Sequence, residues 1–390
     1  MAAAALADEV RAMFREDWNV QLADNPEYAS QSGVQRHDHE LQDLSPQAFA
    51  KRVEYNEKLL LRVDGLMHRV DEELSRRKSS VLQRARTSLQ MFRQSIYDES
   101  SSIKLGCHLY PINSIGYGGV YNNFVEMLEW VESAPARLSR VKHFPAQVKT
   151  YIQLLREGIK RGRIASSCMV RSFVPQLQAG ITDLKNEAGP VADAVDGLDG
   201  ASEALHSFKL ALEDLQLFIE TEYSASVLHQ PGCMRFSDGK ELYALALRFH
   251  TTTEKSASEI HSIGLAEVER IEKRIQVEVL NQLDFHGTCS DLCEYLKTKP
   301  EHFFTDAGAL ISAYRAACSK IETILPSVFK TFPKMPLQIV EKHAPNGPGA
   351  YYLAGTPDGS RPGRFYVNTS RLSSRPSYEI MALAMHEVSR

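Results

Sequence analysis

His386 and Glu387 stand side by side after an apolar stretch, Ile380 through Met385, whose composition suits a helix. On a helix, positions i and i+4 share a face, so two histidines at that spacing can bind one Zn²⁺. A glutamate beside the first is then placed to take a proton from metal-bound water. That pattern is His-Glu-x-x-His. Here the five residues are His386-Glu387-Val388-Ser389-Arg390, and arginine holds the second ligand position. Arginine stays protonated and offers no lone pair, so it repels a cation. Taken alone the pair is a weak signal, because two common residue types meet often by chance, and an exposed terminal His-Glu explains it.

The other residues that could do chemistry are dispersed. Cys289 and Cys293 are four apart, which puts two thiols on one face of a helix, but no second pair stands nearby at metal-ligand spacing. Packing as small apolar residues in a helical core is the simpler reading. His37, His39, His250, His261, His286, His302 and His343 read as surface or satisfied core histidines, with His343 the one nearest the expected sheet edge. Gly116-Tyr117-Gly118-Gly119 lacks the Gly-Lys-Ser/Thr ending of a phosphate loop and reads as a turn. No Gly-x-Ser-x-Gly elbow is present, so a serine nucleophile of that type has no support.

The elements around His386 must be mainly helical. Apolar residues at spacings of three, four and seven run from Pro46 to Leu74, behind Ser45 as N-cap and Pro46 as first-turn proline. Further helices are expected over Ser79–Tyr97, Phe124–Val131, Val148–Ile159 and Ala201–Ile219. Ser166–Val174 should end or kink at Pro175. Ser256 and Glu259 have capping-box spacing, with Ile260, Ile263, Val268, Ile271 and Ile275 following on one face. Asp306–Ile324 is one more helix. After Pro333 the pattern shortens to three strands, at Leu337–Val340, Tyr351–Leu353 and Phe365–Val367, separated by Gly/Pro/Asn/Asp turns. The expected fold is a large multi-helix body, residues 1–332. Residues 333–390 follow as a small antiparallel β-sheet and the start of a zinc-type helix.

Composition bounds the rest. The 390 residues are 43% apolar and 24% charged, ordinary for a globular protein, with a formal net charge of -4. No dense Lys/Arg block interleaves with aromatics, so nucleic acid is a poor partner. No apolar run is long enough to cross a bilayer, and the N-terminus fits neither a secretory signal nor a transit peptide. Six scattered cysteines suit free thiols in a reducing compartment, and the cytoplasm is the expected location.

A family resemblance then becomes specific. Tyr351-Tyr352, Asp358-Gly359-Ser360-Arg361-Pro362-Gly363, Phe365-Tyr366-Val367-Asn368-Thr369 and Tyr378-Glu379 lead up to His386-Glu387. Upstream come Asn25-Pro26-Glu27-Tyr28-Ala29, Leu109-Tyr110-Pro111-Ile112-Asn113, Glu157–Gly162 and Glu259–Val268. In this order and spacing the set resembles a mostly bacterial family, number 885 among domains of unknown function, described as gluzincin-like zinc metallopeptidases. Its zinc helix carries His-Glu-Ala-x-Pro-Gly-His-His.

The resemblance implies zinc-dependent peptide hydrolysis in the parent, with His386 as first metal ligand and Glu387 as general base. It also implies that an edge strand before the helix pairs with extended peptide substrate. Phe365–Asn368 is the expected edge, and Tyr366 and Asn368 are the candidate substrate contacts, with strand packing and turn capping as the equal alternative. Val388-Ser389-Arg390 departs from the family pattern, and no residue maps to the second or third ligand. The expectation is a chain cut inside its motif, inactive and without zinc. A truncated product, another transcript or a gene-model error would each leave this ending. The alternative is a non-catalytic helical interaction or regulatory module, binding a protein partner through the C-terminal helix, whose Ile380, Met381, Leu383, Ala384 and Met385 would lie bare.

Overall fold

Ser45 and Pro46 open a 31-residue helix where the sequence predicts one. The Ser45 hydroxyl accepts the Ala48 N–H, and the proline gives up a donor that the first turn leaves unpaired anyway. The structure, a computed structural model, describes residues 2–111, 120–227, 232–332, 335–343 and 347–388. It divides into two compact units, Met1–Glu254 and Lys255–Arg390. Gly116-Tyr117-Gly118-Gly119 lies outside the described residues.

The first unit is helical: α1 (Ala2–Asp24), α2 (Pro26–Gln31), α3 (Pro46–Arg76), α4 (Ser80–Lys104), α5 (Val120–Leu128), α6 (Ala134–Lys160), α7 (Ser167–Lys185), α8 (Pro190–Asp193), α9 (Ala201–Phe218) and α10 (Gly239–Thr251). Two apolar cores hold it. One lies among α1, α3 and α4, where Met13, Val63, Val70, Leu82 and Leu89 are fully buried. The other lies among α5, α6, α7 and α9. There Phe144 and Phe208 stack at 3.8 Å, and Phe124 meets both rings at steep angles.

Two helices depart from expectation. Of the two outcomes expected at Pro175, an end or a kink, the first does not occur: α7 runs on through it. A mid-helix proline costs about 3 kcal/mol, but Val170, Phe173, Leu177, Ile181 and Leu184 all bury on one side of α7. Each such side chain contributes roughly 1.5–3 kcal/mol, so burial wins. α6 begins well before Val148 and contains Pro145 for the same reason, with Leu138, Val141 and Phe144 buried ahead of it.

His108 gives this unit a pH signature. Its ring lies 4.3 Å from that of Phe49, and its buried Nδ1 has no hydrogen-bond partner among the described residues. Burial, with Arg161 and Arg52 adding repulsion, pushes the imidazole down to about 4 from an ordinary 6.5. Between those values the unfolded chain takes up a proton that the folded chain refuses, so stability falls as pH drops through that window. His108→Phe is expected to flatten this acid limb, read as urea midpoints from neutral pH down to about pH 4. An unchanged slope would remove His108 as its source.

The second unit contains α11 (Ala257–Ile275), α12 (Cys289–Lys297), α13 (Ala307–Val328), β1 (Gln338–Lys342), β2 (Ala350–Leu353), β3 (Arg364–Asn368) and α14 (Ile380–Val388). Its core joins Leu310, Ile311, Tyr314 and Cys318 of α13 to Phe365 and Val367 of β3 and to Ile380 and Ala384 of α14. The units part between Glu254 and Lys255, and α13 buries its stripe against the sheet within the second unit.

The sheet also corrects an expectation. Its order is β1-β3-β2, with β2 antiparallel to β3 but β1 parallel to it, so it is mixed and not purely antiparallel. The third strand returns between the first two, whose neighbouring slot it fills on both sides. Ser256 and Glu259 do form a capping box at the start of α11. The apolar face that follows is not core, however: no residue of α11 is buried, and Leu265 and Val268 are 61% and 55% exposed.

Candidate functional site

α13 and β2 pack against α14 and fix where His386 and Glu387 lie. Ile380 and Ala384 bury on the core side of α14, Met381 and Leu383 are half-buried, and Met385 is exposed. The C-terminal helix is therefore not the bare apolar surface expected of it, because α13 covers one side. Successive helical residues are rotated by about 100°, and the pair separates accordingly: His386 is exposed while Glu387 is only 7% exposed. Ser389 and Arg390 lie outside the described residues. Among the described residues no three His, Cys, Asp or Glu side chains gather where they could hold a metal. One imidazole and a carboxylate do not fit a zinc centre, which takes at least three protein ligands.

Tyr366 and Asn368 sit on β3, which is the inner strand, so neither edge of β3 is open to a substrate. The expectation that Phe365–Asn368 forms the edge is overturned by β1, which takes the place beside it. Tyr366 is buried, with its ring stacked on Tyr351 at 4.8 Å and 14°. Lys342 reaches over both rings and donates to the Tyr351 hydroxyl at 3.1 Å. The Asn368 side chain is a turn clamp. Its Nδ2 donates to the Pro348 carbonyl at 2.9 Å, and its Oδ1 accepts from the Ser370 N–H at 3.0 Å and hydroxyl at 2.7 Å.

The loop from β2 to β3 is held by Asp358. The Thr356 hydroxyl and the N–H and hydroxyl of Ser360 bind its carboxylate and push it down to about 2. A groove of about 800 Å³ runs beside this loop, lined by Leu325, Phe332, Leu337, Tyr352, Asp358 and Arg361 among others. In the first unit a cavity of about 420 Å³ is lined by Asn25, Glu27, Tyr28, Trp130, Gln147 and Tyr151, among others. The Glu27 carboxylate there accepts from the Gln42 N–H and from Gln147 Nε2 at 3.0 Å. Neither His386 nor Glu387 lines either space. Sequence reading passed over this cavity because its polar side chains come from α2, α5 and α6, far apart in the chain, and no spacing marks them.

Two stretches singled out in the sequence meet in the structure. Gly158 packs against the carbonyl of Leu109, so Glu157–Gly162 and Leu109-Tyr110-Pro111 form one contact. No helix among the described residues is long and apolar enough to cross a membrane.

The fold has solved relatives. The crystal structure of "the putative lipoprotein from Colwellia psychrerythraea" is similar with a TM-score of 0.80 and 14% identity, covering 98% of this chain and 71% of that one. The structure of "a putative lipoprotein of unknown function from Shewanella oneidensis" is similar at a TM-score of 0.56 and 17% identity, covering 98% of this chain and 70% of that one. At such identities the likeness speaks for the fold alone. No curated protein matches the chain. Residues 26–389 match the family described as bacterial protein of unknown function (DUF885), and the chain belongs to that family.

Proposed function

We propose that these 390 residues form a metallopeptidase-like polypeptide that is itself catalytically silent, within a family whose parent activity is zinc-dependent peptide hydrolysis. The observation that carries this reading is on α14. His386 and Glu387, read from the family resemblance as first ligand and general base, lie on this helix, and among the described residues no group of three His, Cys, Asp or Glu that could hold a metal is found. For the parent activity, the edge strand that this reading assigns to substrate pairing is not the inner β3 but β2. That strand has one side unpaired within the sheet and packs on α14, so extended peptide would run along Ala350–Leu353. The free cysteines keep the cytoplasm as the proposed location.

The test is elemental analysis after dialysis against zinc, together with hydrolysis of a fluorogenic peptide library. Far less than one zinc per chain and no hydrolysis are expected. Stoichiometric zinc with hydrolysis that His386→Ala and Glu387→Gln abolish would overturn the silent reading.

The second reading is a non-catalytic helical interaction or regulatory module, and α11 favours it. Ile263, Val268 and Ile271 share one face of that helix and are exposed, the kind of apolar surface that partner polypeptides cover. Zinc-dependent hydrolysis in the same assay would count against this reading too.

A further inference from the structure

Cys289 and Cys293 are the first and fifth residues of α12, one turn apart. Thr288 and Asp291 fix that turn as a capping box: the Asp291 carboxylate accepts from the Thr288 N–H and hydroxyl, both at 2.8 Å, and Thr288 Oγ accepts the Asp291 N–H at 3.2 Å. Leu292 faces inward and is buried, so the cysteines turn outward. Cys289 is half-buried and Cys293 exposed, which overturns the expectation that the two pack as small apolar residues in a core. Cys318 is the one that does so, buried on α13 with its thiol pushed up to about 11.

We propose that Cys289 and Cys293 form a two-thiolate site for a soft monovalent cation of the copper(I) class. Side chains at i and i+4 have Cβ atoms about 5–6 Å apart. Thiolates are the ligands that select soft ions of this class, and that spacing lets both sulfurs turn towards one ion without moving the backbone. The two thiols are already close enough to act on one another: burial first, then the neighbouring Cys293 thiol, raise the Cys289 thiol above its ordinary value. No third His, Cys, Asp or Glu joins them among the described residues, which suits a two-coordinate soft ion and excludes a tetrahedral zinc site there. Binding releases the two thiol protons, and no electron transfer is involved.

The experiment is anaerobic titration of the reduced full chain with copper(I) against the coloured chelator bicinchoninate. The wild type should withdraw one equivalent that Cys289→Ser and Cys293→Ser each lose and Cys168→Ser keeps. Both positions are solvent-accessible, and far-ultraviolet circular dichroism confirms that the serine variants are folded. A Cys289→Ser/Cys293→Ser double variant that withdraws as much copper as the wild type would overturn the site. So would a wild type that withdraws none.

Discussion

Gly158→Ala is expected to destabilise the helical unit Met1–Glu254 by about 3 kcal/mol, at the upper end of what overpacking usually costs. Gly158 lies inside α6 and is buried. A methyl group there would press into the carbonyl oxygen of Leu109 and stand 2.6 Å from that of Arg163, and both obstacles are backbone. Neither can swing away as a side chain would. The Arg163 N–H also donates to the Gly158 carbonyl at 2.7 Å, so the chain after α6 is folded tightly back on this residue. Relief requires moving α6 away from the segment that follows α4. Gly65→Ala is the internal control. Gly65 is an exposed residue of α3 with no atom within 4 Å of a built methyl group, and alanine there should stabilise by about 0.5–1 kcal/mol. The two substitutions are chemically identical and should shift the urea midpoint in opposite directions. A Gly158→Ala chain as stable as the wild type would show that the close approach is not obligatory.

The contrast between these glycines illustrates what the sequence could convey. Local signals were legible where the partner is local. Ser45 with Pro46, Ser256 with Glu259, and Asp306 each cap the helix expected of them, because donor and acceptor lie within a few residues. The three strands likewise fall within a residue or two of their expected places. What periodicity cannot state is which surface a face meets. The stripe Ile260, Ile263, Val268, Ile271 on α11 has the spacing of a buried face and stays outside, while Val170 to Leu184 on α7 bury deeply enough to carry a proline through the helix. The same limit applied at the candidate site. Adjacent positions identified His386 and Glu387 as a pair, but the insertion of β3 between β1 and β2 depends on the pairing of β3 with β1, whose partners lie more than twenty residues apart. That insertion turned Tyr366 and Asn368 from edge residues into inner ones.

Arg140→Met should cost about 3–5 kcal/mol, the range for removing one member of a buried charged network. Arg140 is a residue of α6 with no exposed surface, the largest fully buried side chain described. Its Nη2 donates to the Pro26 carbonyl at 3.0 Å, to Ser30 Oγ at 2.8 Å and to the His37 carbonyl at 3.3 Å, while Nη1 contacts the Met127 sulfur. Ser30 passes the connection on, donating to Asp38 Oδ1 at 2.5 Å. Burial draws the guanidinium's pKa down, and Glu27, Asp38 and Glu40 oppose that shift, so the cation is kept by a surplus of carboxylates around the α2 corner. Methionine fills much of the volume but leaves the buried Asp38 carboxylate without its counter-charge, and the Pro26 and His37 carbonyls keep only the Ser30 hydroxyl and the Glu40 N–H as donors. Arg140→Lys should recover only part, since its ammonium is a single point that replaces Nη2 but not Nη1, which meets the Met127 sulfur. Asp38→Asn removes the stranded charge, so in the Arg140→Met background it should cost less than it does alone. Urea midpoints of the four chains give the coupling directly. If Arg140→Met and Asp38→Asn simply add, Arg140 packs this corner by volume alone and its charge is incidental.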